Sequence, residues 1–532
     1  MVTKKDSKLT KITHMSAIKK LKTDIFSLLD AKMSLDSVKE IMARLEKVLT
    51  KPHNLILLSD GYKYSHPDFY GAETTKIVSY LESRGGKFKE TVVLVDIIVK
   101  KFLTGVVLLK EDVDEAEQIL NTELGVFGAS KVFDRKRFDY IVEKHGGRLP
   151  LRIKAVPDGT VVPVKNVLMT IENTDPNCAW LTNFVESLIL QVWYPITVAT
   201  LSREVKKLTV EYYRKTTDYD DAIIDIVSGF MLNDFGFRGV SSVESAEIGG
   251  FAHLVNFDGS DNVVASKLIM DYYKTDKVYG KSIPATEHSI MTLKGPEGEF
   301  SMIKRVLETH PEQMVACVCD SFNILGAVTY ISTDLKEMIL ARPATAPFII
   351  RPDSGHILKT LEEIYHILFE NFGYTVNEKG FKVLPPQIRV IQGDGVNLES
   401  IKDIFNSLVE QKISIENIAL GMGGKLLQAD INRDTQNFAI KACFGYVDGK
   451  PVNIVKNPME LDENGVQHQS FKKSKQGLMK LVKTPDSYRT VTSAESDYDT
   501  AKDELVVLFE NGDLMQEYTF EEIRQRAKKG IY

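Results

Sequence analysis

The residues best equipped for chemistry fall in seven short loops. In chain order they are Asp234-Phe235-Gly236-Phe237-Arg238-Gly239, Asp258-Gly259-Ser260-Asp261, Thr286-Glu287-His288, Asp320-Ser321, Arg351-Pro352-Asp353-Ser354-Gly355, Gly393-Asp394-Gly395 and Gly421-Met422-Gly423-Gly424. The two glycine-rich loops each follow an apolar run and open a helical pattern, where bare backbone N–H groups can approach an anion. The loop from Gly421 to Lys425 lacks the G-K-[ST] ending of a Walker A motif, and it is not G-x-G-x-x-G. Singly, such glycines equally well make turns. Taken with Arg238, Arg351 and Arg433, whose planar forks hold phosphate oxygens in pairs, they point to phosphate binding. His288 follows Glu287, which makes it either a structural histidine or an imidazole whose basicity a carboxylate raises, suited to proton or phosphoryl transfer. Asp261 and Asp353 read as reactive carboxylates or as helix N-caps.

The elements that must position these loops recur regularly. Short apolar, β-branched runs lie near 229–235, 252–257, 282–286, 314–319, 347–351, 388–392, 417–421 and 441–446, each followed by a polar loop and a helix. Parallel strands need helical crossovers, so this pattern predicts an α/β barrel, with a doubly wound sheet as the rival. In a barrel every strand ends at one rim, and phosphate sites commonly lie on the last loops. Before the barrel, Leu151 to Asn173 alternates apolar and polar residues around Pro157-Asp158-Gly159, an antiparallel pattern. An apolar helix is expected from Trp180 to Trp193, ending near Pro195. Near the amino terminus, Val38, Ile41, Met42, Leu45, Val48 and Leu49 repeat at helical spacing, with Ser37 and Glu40 as a capping box. The expected organisation is a Lys-rich and helical extension over 1–50, a mostly β (α+β) domain from 51–224 plus 446–532, and the α/β barrel over 225–445. The turn Asn511-Gly512 belongs to the returning segment.

The chain has 532 residues, 67 basic against 73 acidic, for a net charge of −6. That balance argues against a dedicated nucleic-acid binder, and no nucleic-acid partner is expected. Cys178, Cys317, Cys319 and Cys443 are too few to staple the chain and read as reduced thiols. Cys317 and Cys319 form C-x-C rather than C-x-x-C, which suits two buried strand residues better than a metal site. The richest apolar stretch, Thr91 to Lys110, is broken by Asp96, Lys100 and Lys101, so no membrane span is expected. The first 23 residues carry seven lysines and no arginine, read as a solvated tail in preference to a mitochondrial presequence. The expected location is cytoplasmic.

The blocks DFGFRGVSS (234–242), AHLVNFDGSD (252–261), IPATEHS (283–289), IIRPDSG (349–355), RVIQGDGV (389–396) and IENIALGMGGKLLQ (415–428) resemble the nicotinamide phosphoribosyltransferase family, as do LSDGYKYSH (58–66), ENTDPNCAWLTNFVES (172–187) and WYPITVATLSRE (193–204). The resemblance spans about residues 54 to 530. It implies the type II phosphoribosyltransferase fold, an α/β barrel with a mostly β second domain. It also implies a pentosyltransferase reaction, in which nicotinamide displaces pyrophosphate from phosphoribosyl pyrophosphate to give the mononucleotide of NAD salvage. With it come Mg²⁺, ATP as a coupled co-substrate and a homodimer with shared active sites. No metal ligands are assigned.

On this resemblance Phe235 stacks on the pyridine ring, with Tyr62 of a second subunit on its other face, and Asp60 counts among the substrate-binding residues. Asp261 accepts from the carboxamide and repels nicotinate. Arg351, Pro352 and Asp353 hold ribose and phosphates, while Gly393, Asp394, Gly424 and Arg433 bind ribose and the 5′-phosphate. Arg238 faces pyrophosphate. His288, beside Glu287, occupies the phosphohistidine position, and Arg84, Lys456 and Lys472 contact phosphate across the dimer. The chain departs from the animal enzymes at Asn233 (there His), Asn323 (there an Asp supporting the phosphohistidine) and Cys319 (there Ser). The alternatives are a nicotinate phosphoribosyltransferase and a catalytically idle nucleotide-binding scaffold.

Overall fold

A computed structural model describes residues 35–51, 53–123, 133–469 and 473–532. The chain divides into two units, one of Met1–Trp193 with Gln436–Tyr518 and one of Tyr194–Thr435 with Thr519–Tyr532.

The first unit is built on a seven-stranded antiparallel sheet. Its central strands, Thr74–Ser83, Val167–Asn173 and Leu151–Ala155, pair in register, with Leu151 opposite Asn173 and Ile153 opposite Ile171. Leu151–Ala155 buries alternate residues, as its period-two pattern requires. The connecting turn stands at Pro157-Asp158-Gly159, where Gly159 takes a φ of 86° that a side chain would resist. The expected apolar helix is instead three short turns over 181–192, and the long helix that follows, Trp193–Thr216, belongs from Tyr194 onward to the second unit, so the first unit stops short of the expected bound at 224. Pro195 lies in the first turn of that helix, where its missing N–H has no intrahelical partner to lose. The amphipathic helix is present as Leu35–Thr50, beginning two residues before the expected cap at Ser37.

The second unit carries the parallel sheet. Leu232–Asp234, Ile418–Met422, Ile388–Gln392, Phe348–Arg351 and Val315–Val318 lie side by side in that order, all parallel. Single parallel bridges carry the ring onward, Asp234 to Ser260, Gly259 to Lys281 and Ala285 to Ala316. The sheet therefore closes on itself into a barrel, and the doubly wound rival is excluded. Helices Val243–Leu254, Val263–Tyr273, Glu299–Thr309, Ile324–Thr333, Ile357–Phe372 and Leu398–Glu410 form the crossovers. Ala316, Ile349 and Ile391 make a buried interior layer, with Phe235, Ile283 and Ala419 packed against it.

Three expectations are corrected. Residues 252–254 end a helix rather than forming a strand, because that helix is buried nearly all round and a fully buried helix shows no period. The run 441–446 is a strand, but Phe438–Val447 pairs antiparallel with Thr74–Ser83 in the first unit. The carboxy-terminal helix Phe520–Lys528 belongs with the barrel. Its Arg524 donates to the carbonyls of Leu254 (2.5 Å) and Phe257 (3.0 Å) and pairs with Asp258 at 2.8 Å. Among the described residues no single helix is long and apolar enough to cross a membrane.

Candidate active site

The barrel rim gathers the reactive side chains through a chain of backbone ties. Strand Leu232–Asp234 ends in a turn held by Asp234, whose Oδ1 accepts the Gly236 N–H at 2.7 Å. Phe235 donates its N–H to Met422 O at 3.0 Å. Its half-buried ring lies directly over Gly421, where an added Cβ would stand 2.0 Å from Phe235 Cε2. Gly239 also approaches Gly424 closely, since a Cβ there would lie 2.9 Å from Gly424 Cα. The loop 234–239 thus lies directly against the loop 421–424, and the absent side chains at Gly239, Gly421 and Gly424 are what permit it.

Asp261 sits on the neighbouring stave. Its N–H donates to Asp234 O at 3.0 Å, and its exposed carboxylate accepts from Ser282 Oγ. It does not cap a helix. Phe235 and Asp261, from consecutive motifs, therefore stand on adjacent staves of the rim.

His288 opens the short helix His288–Met291. Its Nδ1 lies 3.2 Å from Ser321 Oγ, and its Nε2 lies 3.7 Å from Asp320 Oδ1 and 3.5 Å from Asp353 Oδ2. The carboxylates beside this ring are thus Asp320 and Asp353. Glu287, the expected neighbour, points into solvent and accepts from Ser289 Oγ. Asn323 does not reach the histidine either; it caps helix Ile324–Thr333, accepting the Gly326 N–H at 3.1 Å. Asp320, almost fully buried, also accepts from the Asp353 N–H at 3.2 Å and from Ser354 Oγ, which ties the loop 351–355 to the strand before it. Nearby, burial pushes the Glu299 carboxyl upward, with the negative Asp320 adding to the effect.

Four rim residues hold a buried polar atom with no hydrogen-bond partner: Asn262 Oδ1, Asp320 Oδ1, Arg351 Nε and Gln392 Oε1. Buried polar atoms are normally paired, so these mark where bound polar groups belong. Pro352 is buried beside them, whereas Asp394 and Gly424 follow the strand ends near the rim. Asp394 O accepts from Gln392 Nε2 at 2.8 Å. Arg238 is exposed, and Arg433 turns its fork onto Asp434 at 2.8 Å.

The remaining candidates belong to the first unit. Tyr62 is 63% exposed and Asp60 accepts from Ser187 Oγ. Arg84 donates to Glu82 at 3.2 Å, and Lys475 pairs with the same carboxylate. Exposed Lys456 is fixed through its backbone to Ser474, at 2.8 and 2.9 Å. Lys472 lies outside the described residues. Cys317 and Cys319 are buried free thiols, one in the strand Val315–Val318 and one just past its end. The only metal-capable grouping found among the described residues, His145, Asp175 and Cys178, is in the first unit and already internally bonded, with His145 Nε2 2.8 Å from Asp175.

Asn262 and Gln392 were not singled out by the sequence, and the loop Asp320-Ser321 was, but without a role beside His288. Asp320 and Gln392 do share one legible signal, a polar residue at the end of a buried apolar strand.

A parallel barrel with glycine-rich loops, a rim arginine and a carboxylate-flanked histidine defines a class built for phosphate esters and ribosyl transfer. The sequence model of the nicotinate phosphoribosyltransferase (NAPRTase) family matches residues 230–495, and that of the nicotinamide phosphoribosyltransferase amino-terminal domain matches 54–153. A nicotinamide phosphoribosyltransferase of Xanthomonas campestris pv. campestris is 39% identical over 482 residues, covering 89% of this chain and 98% of that protein. Another, from Acinetobacter baylyi, is 33% identical over 404 residues, covering 72% and 77%. Among solved structures, nicotinate-nucleotide pyrophosphorylase from Pyrococcus furiosus shares the fold, with a TM-score of 0.56 at 15% identity over 89% of this chain and 95% of that one. The chain belongs to the nicotinate/nicotinamide phosphoribosyltransferase family, and is a pentosyltransferase of the type II fold.

Proposed function

We propose that this protein transfers the phosphoribosyl group of phosphoribosyl pyrophosphate to nicotinamide, releasing pyrophosphate and forming nicotinamide mononucleotide for NAD salvage. The observation that carries the reading is the pairing of Phe235 with Asp261 on adjacent staves. A half-buried ring offers a face to the pyridine, and an exposed carboxylate beside it accepts from a carboxamide NH₂ while repelling a carboxylate. The names of the curated relatives support the same acceptor.

In the reaction the pyridine nitrogen bonds to ribose C1 as the C1–O bond to pyrophosphate breaks. Positive charge then builds on the ribose, as in glycoside cleavage, and a carboxylate such as Asp353 stabilises it. Backbone N–H groups of the loops 393–395 and 421–424 suit the 5′-phosphate, and Arg351 Nε supplies an unspent donor. Mg²⁺ fits this rim, because Asp320 Oδ1 is buried without a hydrogen-bond partner and Asp353 is close to it; these are oxygen donors of the kind the ion takes. When bound it would offset pyrophosphate charge.

ATP coupling belongs to the same reading. An imidazole nitrogen of His288 attacks the γ-phosphorus, the bond to the bridging oxygen breaks, and ADP leaves. A homodimer in which Tyr62, Asp60, Arg84, Lys456 and Lys472 of one subunit complete the other's site, located in the cytoplasm, accompanies this function.

The test is Asp261→Asn, assayed with nicotinamide and nicotinate. Removing the charge lowers the nicotinamide-to-nicotinate ratio in kcat/KM by about tenfold or more. An unchanged ratio would defeat the reading.

A further inference from the structure

Asp234 touches neither the expected pyridine face nor the amide, yet it joins the elements that carry both. Its side chain is fully buried. Oδ1 accepts the Gly236 N–H at 2.7 Å, fixing the turn that presents Phe235. Oδ2 accepts from Asn262 Nδ2 at 3.0 Å, and Asn262 directly follows Asp261. The backbone repeats the connection, since Asp234 N donates to Gly259 O at 3.2 Å and Asp261 N donates to Asp234 O at 3.0 Å. Asn262 is itself anchored, its second amide hydrogen going to Ala246 O at 2.8 Å.

We propose that Asp234 is a positioning residue for the nicotinamide subsite, its carboxylate setting the placement of Phe235 relative to Asp261. This rests on the proposed roles of those two residues. Two donors converge on this side chain, so a group that only accepts is required. An amide in its place would turn an NH₂ toward either Gly236 N–H or the Asn262 NH₂. Asn262 could answer by flipping its free Oδ1 inward, but only by giving up Ala246.

The charge is kept at a cost. Among the described residues no lysine, arginine or histidine makes an ion pair with it, and burial, with Asp261 adding, raises the carboxyl to about 6. The other titratable group facing it is the Tyr194 hydroxyl on the long helix, which is committed to Ser245 O and Leu427 O, both at 2.9 Å. A buried carboxylate without a cation is a poor device for stability alone. It is a precise device for geometry, because both of its oxygens are assigned.

The test compares Asp234→Asn and the milder Asn262→Ala with the unaltered protein, in steady-state kinetics for both substrates and in thermal melting. Asp234→Asn is expected to raise KM for nicotinamide about tenfold while KM for phosphoribosyl pyrophosphate stays within about twofold, and to narrow the preference over nicotinate. Asn262→Ala removes one of the two bonds and shifts the same constant in the same direction, by less. If the two KM values move in parallel, or neither moves, the inference is overturned. Should Asp234→Asn fail to fold, an unchanged nicotinamide KM in Asn262→Ala overturns it equally. An unaltered protein that makes no mononucleotide defeats the functional reading and this one together; an active protein with indifferent variants defeats only this one.

Discussion

Replacing Gly421 by alanine tests whether the ring of Phe235 is held where a ligand needs it. The new Cβ would stand 2.0 Å from Cε2, 2.2 Å from Cδ2 and 2.9 Å from Cζ of that ring. Carbon contacts settle near 3.5–4.0 Å, so about 1.5 Å of movement must be found. The backbone at Gly421 lies within a strand and outside the left-handed region, so the contact alone is perturbed. The ring cannot sink, since Ala316, Ile349 and Ile391 fill the layer beneath it. It must tilt toward the mouth, the space proposed for nicotinamide. Such overpacking costs about 1–3 kcal/mol, which at about 2–4 °C per kcal/mol lowers the melting temperature by several degrees. Misplacement on this scale lowers kcat/KM for nicotinamide by about a hundredfold. Gly393→Ala is the control for stability, because its Cβ meets the same ring at an ordinary 3.4 Å. A Gly421→Ala enzyme with kcat/KM within twofold and an unchanged melting curve would refute the reasoning.

Two further outcomes follow from the same geometry. Asp320→Asn is expected to cut acid-labile, base-stable phosphate incorporated from labelled ATP about tenfold, because Asp320 lies 3.7 Å from His288 Nε2, whereas Asn323→Asp leaves incorporation near its original level and exchanges one good helix cap for another. The reverse ranking would return the supporting role to position 323. His253 is buried, bonded to Ser202 Oγ at 2.9 Å and Gly259 O at 3.1 Å, and burial lowers it from 6.5 to about 4. The unfolded chain binds this proton first, so its contribution is lost as pH falls from 6.5 toward 4, by about 3 kcal/mol. Denaturant melts of His253→Gln should therefore show a penalty that shrinks over that window; a constant penalty would contradict it.

The barrel was legible because its strands are buried on both faces, so 314–319, 347–351, 388–392 and 417–421 stand out as short apolar β-branched runs. The same rule misled at 252–257, where a buried helix end carries the same composition. It also could not assign Phe438–Val447 to a sheet, because that strand's partner lies more than 350 residues earlier in the chain. The glycine loops, Phe235, Asp261 and His288 were readable as residue types after strands. The partners of His288 were not. Its chain neighbour Glu287 faces solvent, and the carboxylates that reach it come from the ends of the next two strands, which parallel pairing sets side by side. Asp234 shows the same limit, since its value lies in which two loops it ties.

The central claim is tested most directly by product analysis. Purified protein is mixed with phosphoribosyl pyrophosphate, Mg²⁺ and either nicotinamide or nicotinate, with and without ATP, and mononucleotide is measured by chromatography. The account predicts nicotinamide mononucleotide in strong preference to the nicotinate product, with more formed when ATP is present. Product from nicotinate in preference, or from neither substrate, would contradict it.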